Sequence, residues 1–241
     1  MFYGRIKDTR DDRDHKFSLA SPVTPLIVPD AHTLKPWLPP PMNQKQNSTC
    51  TVHGTTAAYR YEWLNNDLPD LELSRAQLYQ DAGVIEGNTG DVGRQIRDVV
   101  KALATTGVAA ESLWPYENVG QPVPENVRVD AATRTIREYA KVGTDRRSIN
   151  TAIFIGHPVI IGVSVFKQFE SEEAYETGFI RMPSFGETEV GEHCMLLAGY
   201  DPQRDEVLNS WGFTWGQEGY ASFPRGYLEK YGSDFWTIFK D

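Results

Sequence analysis

The order of the expected elements, helices first and strands afterwards, is the feature that most limits the folds open to this chain. Ser48, Ser74 and the apolar spacing that begins at Ile96 each predict a helix, and Gly107 ends the last of the three. The second half contains a β-branched, almost wholly apolar run, which predicts a buried strand. Strands are predicted at residues 135–142, 159–166, 193–200, 206–210, 219–223 and 235–239, with a short helix at 145–155. We therefore expect a mostly helical part followed by a mostly β part.

Residues 1–42 differ in composition from the rest of the chain. Mixed charge between Lys7 and Asp14 is followed by repeated prolines. Proline has no backbone N–H and cannot continue a helix or a central strand. We expect residues 1–42 to form an extended strap over the surface, with at most short strands.

Charge and hydrophobicity exclude several classes of function. The 241 residues include 24 Lys and Arg against 33 Asp and Glu, a net charge of -9, which disfavours nucleic acid and anionic membrane as partners. No apolar run approaches the roughly 20 residues of a membrane span, and the charged N-terminus lacks the apolar core of a signal peptide. Two cysteines are too few for a disulfide-stapled secreted protein. We therefore expect a cytoplasmic location, while the oligomeric state is left open.

Cys50 is placed where a helix start would activate a thiol. Ser48 and Thr49 precede a run that can continue as a helix, so the cysteine is expected in the first turn. The unpaired N–H groups and the positive end of the helix dipole favour the thiolate, which is the nucleophilic form. A small buried core residue is the alternative interpretation, because most free cysteines are of that kind. The local sequence leaves both open.

A thiolate nucleophile needs a base, and the chain offers five histidines. They are His15, His32, His53, His157 and His193. The first two lie in the strap, and the fourth lies at a turn before a proline. His53 shares the helix face of Cys50 and is interpreted as a structural residue. His193 begins an apolar strand, where a polar ring requires a hydrogen-bond partner.

Asn209 can supply that partner. It ends the strand that follows in an apparent hairpin, so its side chain can accept from the ring N–H of His193 and fix the tautomer. Trp211 nearby would keep water away from this bond. A simple turn is the alternative interpretation of Asn209 and Ser210.

Together these residues resemble the papain family of cysteine peptidases. The family's order of motifs is present as Gln44, Cys50, His193, Asn209-Ser210-Trp211-Gly212, Trp215-Gly216 and Gly219-Tyr220. The resemblance covers about residues 40–241 and is weakest between 110 and 150. It implies an α+β, two-lobed fold over residues 43–241. A mostly helical lobe (about 43–115) would carry the cysteine, a β-barrel-like lobe (about 130–241) the histidine and asparagine, and the active site would lie in the cleft between them.

The resemblance also implies the catalytic roles. Cys50 would attack the peptide carbonyl, and His193 would hold the proton and return it to the leaving amine. Asn209 would orient His193. Gln44 and the backbone N–H of Cys50 would form the oxyanion hole.

The substrate-binding residues implied by the resemblance surround this group. Gly90 and Asp91 belong to the glycine-rich segment 87–93, which would form a wall where a peptide pairs as a strand. Trp211 and Trp215 would lie on the leaving-group side. Glu192 is added from its own position: it stands directly before the histidine, close to the substrate, which indicates tolerance for basic side chains there.

The chain departs from the family pattern before the cysteine. The segment 47–51, Asn-Ser-Thr-Cys-Thr, lacks the usual disulfide-forming cysteine, which agrees with a reducing compartment. Only 49 residues precede Cys50, too few for a long inhibitory prodomain. We expect the strap to pack on the second lobe and not to act as an inhibitor.

Three other functions compete with a peptidase that cleaves peptides or proteins. The pair Cys50 and His53, together with His193 and Cys194, suggests zinc, but successive strand residues point to opposite faces and no further ligands complete a tetrahedral set. We therefore expect no metal and no cofactor. A catalytically inactive relative that binds peptides in the same groove is the principal alternative. An acyltransferase or amidase with a Cys-His pair is disfavoured by the Asn-Ser-Trp-Gly motif.

Overall fold

Seven α-helices and nine β-strands are present in residues 3–17 and 27–240, the part of the chain that the computed structural model describes. The helices are α1 (Cys50–Asn65), α2 (Arg75–Glu86), α3 (Ile96–Thr105), α4 (Glu125–Ala131), α5 (Arg146–Phe154), α6 (Glu172–Thr177) and α7 (Tyr227–Tyr231). The strands are β1 (Arg5–Ile6), β2 (His32–Thr33), β3 (Arg94–Gln95), β4 (Glu138–Val142), β5 (Val159–Phe166), β6 (Glu189–Tyr200), β7 (Arg204–Leu208), β8 (Tyr220–Pro224) and β9 (Gly232–Phe239). The α+β class is confirmed. No helix within these residues is long and apolar enough to span a bilayer.

The helix that carries the cysteine begins at Cys50, two residues later than Ser48. Thr49 is its N-cap residue, but its hydroxyl makes no capping bond and instead lies 2.6 Å from the hydroxyl of Tyr116. The prediction for the next helix is more accurate, since the Ser74 hydroxyl accepts from the N–H of Gln77 at 3.2 Å. Cys50 is therefore in the first turn of α1, as expected.

The helices that the sequence patterns missed are short. α4, α6 and α7 have seven, six and five residues, so none is long enough for an apolar repeat to stand out. A cap was the available signal for one of them, because the Ser171 hydroxyl accepts from the N–H of Ala174 at 3.1 Å.

Seven strands form one antiparallel sheet in the order β4-β9-β5-β6-β7-β8, and β2 pairs with β6 outside this path. β5 lies between β9 and β6 and is buried along its whole length, which confirms the strand predicted from its apolar run. Its neighbour β6 begins at Glu189, four residues before His193. His193 is therefore inside a paired strand and not at its first position.

Both faces of this sheet are covered. Ile160, Leu196 and Trp236 join a core with α1, α2 and α3 on one face. On the other face Ile161 and Leu197 join a core with α5 and α7. We call the part built from α1 to α3 the helical lobe and the part built on the sheet the β-lobe.

Most of the described strap lies on the β-lobe. β2 pairs antiparallel with the end of β6, and the N–H of Leu34 donates to the carbonyl of Ala198 at 2.7 Å. Nearer the N-terminus, Asp14 binds Arg97 of α3 at 2.6 Å. The strap prolines Pro22 and Pro25 lie outside the described residues. Residues 3–6 take a different course, described below.

Arg94 holds the glycine-rich loop that follows α2. Its side chain is fully buried and donates to the carbonyl oxygens of Tyr79, Gly93 and Gly90 at 3.1, 2.7 and 3.1 Å. The guanidinium also lies 3.9 Å from the centre of the Tyr79 ring, and the Glu86 carboxylate lies 3.8 Å away. One buried cation thus satisfies three carbonyl groups, two in this loop and one in α2.

We expect Arg94→Met to lower the free energy of unfolding by about 3 kcal/mol, because it leaves buried carbonyl oxygens and a carboxylate without their partner. Urea unfolding followed by circular dichroism measures the change. Arg137→Met, at an exposed position, is the matched control and should stay within about 0.5 kcal/mol of the parent. Equal losses in the two variants would contradict the role given to Arg94.

Candidate active site

His193 and Asn209 are brought together by the antiparallel pairing of β6 and β7. The Nε2 atom of His193 donates to Oδ1 of Asn209 at 2.8 Å, and both side chains are buried. The same oxygen accepts from the backbone N–H of Ser210 at 2.8 Å. Because an amide oxygen only accepts, this bond places the ring proton on Nε2 and leaves the lone pair on Nδ1. Nδ1 is thus the nitrogen that can take a proton.

Trp211 covers this pair on one side. Its ring stacks on His193 with centroids 5.0 Å apart and planes at 25°. Trp215 meets Trp211 edge-on at 5.1 Å and is only 1% exposed, within the core of the β-lobe. In this structure Trp215 therefore supports Trp211 from behind and does not line the cleft.

Cys50 is completely buried at the start of α1. Burial raises the pKa of its thiol to about 11, although the backbone N–H groups of Cys194 and Gly4 face the sulfur and oppose the rise. Burial likewise lowers the pKa of His193 to about 4, against the effect of its bond to Asn209. His193 Nδ1 makes no hydrogen bond to any described residue. The pair is consequently a neutral thiol and a neutral imidazole.

Gln44 is tied to the turn after Asn209. Its Oε1 atom accepts from the Ser210 hydroxyl at 2.6 Å, and its backbone N–H donates to the Ser210 carbonyl at 2.8 Å. Its Nε2 atom donates to the carbonyl of Asn47 at 2.8 Å. The bonds to Ser210 connect the polar loop before α1 to the Asn-Ser-Trp-Gly motif of the β-lobe.

Tyr116 is a residue of this site that sequence reasoning missed. Its hydroxyl donates to the Gln44 carbonyl at 2.8 Å and lies 2.6 Å from the Thr49 hydroxyl. It follows Pro115, in a segment with no helix or strand pattern, so no local pattern identified it. Tyr116 joins Gln44 to the residue before Cys50.

His53 has the structural role expected from its position. Its Nδ1 atom donates to the Thr49 carbonyl at 2.9 Å, and burial lowers its pKa to about 3, so the ring is neutral.

Cys194 packs with Cys50 in the core between the lobes, whereas His193 stacks on Trp211. In residues 3–17 and 27–240, no three His, Cys, Asp or Glu side chains converge as ligands for a metal ion.

The glycine-rich wall is fastened to the cysteine loop. Asp91 accepts from the N–H of Ser48 at 2.8 Å and from the Tyr79 hydroxyl at 3.1 Å. Gly90 supplies a carbonyl to Arg94. Gly90 and Asp91 are themselves exposed, and the pairing with a strand is made by Arg94 and Gln95, directly after the wall.

Residues 3–6 of the strap lie in the cleft, and we call them the cleft segment. They include β1, the strand that pairs with β3. β1 pairs parallel with β3, and the Gly4 carbonyl accepts from the N–H of Arg94 at 2.9 Å. Tyr3 meets the His193 ring edge-on at a centroid distance of 5.6 Å. The expectation that the strap packs on the second lobe is thus wrong for these residues, which cover Cys50, and for Asp14, which binds Arg97 of the helical lobe.

Cys50 in the unaltered chain should react with iodoacetamide at pH 7 at least about 100-fold more slowly than free cysteine. Its sulfur is covered, and a pKa of about 11 leaves far less thiolate than the usual value of about 8.5. Timed alkylation followed by peptide mass mapping measures the rate, with the urea-unfolded chain as the control. Rapid native labelling at Cys50 but not at Cys194 would contradict the covered site.

A profile of the papain family cysteine proteases matches residues 30–234. An uncharacterized peptidase C1-like protein of Acanthamoeba polyphaga mimivirus is 30% identical, over 98% of this chain and 86% of that protein. A cathepsin L-like proteinase of Fasciola hepatica is 25% identical over 76% of this chain, and the match spans 56% of its own length.

Solved structures share the fold. Xylellain, a cysteine protease from Xylella fastidiosa, has a TM-score of 0.90 at 27% identity and is matched over 99% of this chain and 96% of its own. Digestive procathepsin L 3 of Tenebrio molitor has a TM-score of 0.75 at 20% identity, over 94% of this chain and 74% of its own. The chain therefore belongs to the papain family of cysteine proteases, which are thiol-dependent hydrolases of peptide bonds.

Proposed function

We propose that this chain cleaves peptides or proteins with Cys50 as the nucleophile, His193 as the acid and base, and Asn209 as the residue that orients His193. The observation that carries the proposal is the 2.8 Å bond from His193 Nε2 to Asn209 Oδ1. This bond leaves Nδ1 of His193 as the proton acceptor. The next residue of the strand is Cys194, and its backbone N–H faces the Cys50 sulfur. A histidine with a fixed tautomer and an available acceptor nitrogen, together with a thiol at a helix start, is the set of groups that thiol catalysis requires.

The reaction begins when the cleft segment leaves and water enters. Hydration and the positive end of α1 then favour a Cys50 thiolate, and the proton moves to His193 Nδ1. The thiolate adds to the peptide carbonyl carbon, and the C–N bond breaks as His193 returns the proton to the leaving amine. Water, deprotonated by His193, then hydrolyses the thioester, which releases the acid and restores the thiol pair.

Gln44 and the backbone N–H of Cys50 would stabilise the oxyanion of the tetrahedral intermediate. Support for Gln44 comes from its bonds to Ser210 and Asn47, which hold its amide in one orientation. Fixed donors of this kind contribute on the order of 100-fold or more to the rate. A bound peptide would pair with β3, the edge on which the cleft segment lies.

We further propose the division into a strap (1–42), a helical lobe (about 43–115) and a β-lobe (about 130–241), with action in the cytoplasm. The division follows the element types, because α1 to α3 pack on one face of the sheet and share a core with it, whereas α5 and α7 cover the other face. Cys50 and Cys194 are both free thiols, which fits a reducing compartment.

The first test is covalent labelling by an epoxysuccinyl peptide, together with casein cleavage, in the unaltered chain and in the Arg5→Glu chain, where the cleft segment loses its anchor. One adduct at Cys50 is expected in the Arg5→Glu chain, with much slower labelling in the unaltered chain, where the cleft segment covers the sulfur. His193→Ala should abolish both the adduct and cleavage, whereas His157→Ala, a histidine far along the chain from the motif, should not. Peptide binding without cleavage in any chain would establish the inactive, peptide-binding alternative instead.

The oxyanion hole is tested by Gln44→Glu. This change keeps the oxygen that accepts from Ser210 but replaces the amide donor with a carboxylate, so we expect kcat to fall by about 100-fold or more with little change in KM. Gln46→Glu, an exposed residue of the same loop, is the matched control. An unchanged kcat for Gln44→Glu would remove Gln44 from the mechanism.

A further inference from the structure

The Arg5 side chain of the cleft segment fills a pocket beside Cys50. It is fully buried, and its guanidinium pairs with the carboxylates of Glu192 and Asp234 and donates to the Ser233 hydroxyl at 2.6 Å. Long side chains with a charge are almost never fully buried unless they are paired. The pocket therefore supplies what a guanidinium group needs.

The residues that meet the Arg5 side chain all belong to the β-lobe. Glu192 lies on β6 next to His193 and is held by the Ser164 hydroxyl at 2.8 Å. Ser233 and Asp234 lie at the start of β9. Gly162 of β5 forms the floor, because a Cβ atom there would overlap the Arg5 guanidinium.

The charge of the pocket favours a cation. The side chains of Glu192 and Asp234 are only 17% and 11% exposed, so without a partner each would be a poorly solvated negative charge. Lys7, which pairs with Glu192 at 2.8 Å, belongs to the strap and leaves with it. Lys141 remains, 3.8 Å from Asp234.

The pocket lies one residue along the cleft segment from the position that faces the Cys50 sulfur. The Gly4 backbone faces Cys50, and Arg5 is the next residue along the segment. A peptide that places a carbonyl at Cys50 therefore has a neighbouring side chain within reach of Glu192 and Asp234.

We propose that this pocket selects substrates with an arginine, or less strongly a lysine, next to the residue at Cys50, and that Arg5 occupies it as a substitute for that side chain. The inference rests on the proposed peptidase function. Arginine is favoured because its planar group has donors for two carboxylates and a hydroxyl at once, whereas an ammonium is a single compact charge.

The test uses the full-length Arg5→Glu chain, which places a third carboxylate in the pocket and so displaces the cleft segment; Arg5→Ala serves if that chain does not fold. Internally quenched peptides carry Arg, Lys, Leu or Glu at each position around one scissile bond. We expect kcat/KM at one position adjacent to the cleaved residue to be at least about 30-fold higher for Arg than for Leu.

The carboxylates are then neutralised in the same chain. Glu192→Gln with Asp234→Asn should reduce the Arg preference to within about 3-fold, and Gly162→Val should exclude Arg and leave Leu. The control Asp70→Asn with Glu117→Gln removes two carboxylate charges that are mostly exposed and should leave the preference intact. Cleavage without a basic preference, or a preference that survives neutralisation, would overturn the pocket and leave the peptidase function standing.

A binding measurement separates the two proposals. In the chain with Cys50→Ala and Arg5→Glu, calorimetry with an Arg peptide and its Leu counterpart should show at least about 10-fold tighter binding of the Arg peptide, lost on neutralisation. If Cys50 is neither labelled nor active but this preference holds, the peptidase function fails and the pocket stands. Equal binding of both peptides would overturn the pocket whatever the activity.

Discussion

The packing of α1 against β6 is the contact on which the rest of the site depends. Val52 and Ala58 of the helix share a core with Leu196 and Ala198 of the strand, and this apolar contact places Cys50 at the backbone beside His193. Burial of apolar surface is the dominant favourable term in folding, so the approach of Cys50 to the β6 backbone is a product of core packing. The hydrogen bonds of the site only refine it.

The hydrogen bonds that join the two lobes are short and mostly buried. Gln44 binds Ser210, and Tyr116 binds both Gln44 and Thr49, so the loop before the nucleophile is connected to the turn that carries Asn209. Each bond contributes modestly to stability, but losing one partner would leave a buried polar group unsatisfied. This network fixes the position of the Gln44 loop relative to Asn209.

Burial beneath the cleft segment shifts the pKa values of Cys50 and His193 away from the thiolate and imidazolium forms that thiol catalysis would use. With Gly4 and Tyr3 over the site, burial raises the pKa of Cys50 and lowers that of His193, so the proton stays on sulfur. The Arg5 charge is paired with two carboxylates, whereas the N–H groups that face Cys50 and the bond from His193 to Asn209 offset the effect of burial only in part. The same segment therefore blocks access to the thiol and favours its unreactive form.

The sequence by itself determined the element types and the chemical identity of the site. Apolar runs, helix starts and the Asn-Ser-Trp-Gly motif are local patterns, so β5, α1 and the pairing of His193 with Asn209 could be predicted from them. Helices of five to seven residues were missed because they are shorter than the repeat that reveals a helix. Only the tertiary structure decided which residues cover the site: Arg5 meets Glu192 and Asp234 across 187 and 229 positions of the chain. Such contacts depend on how two lobes and a strap close around one another, and no local spacing records that arrangement.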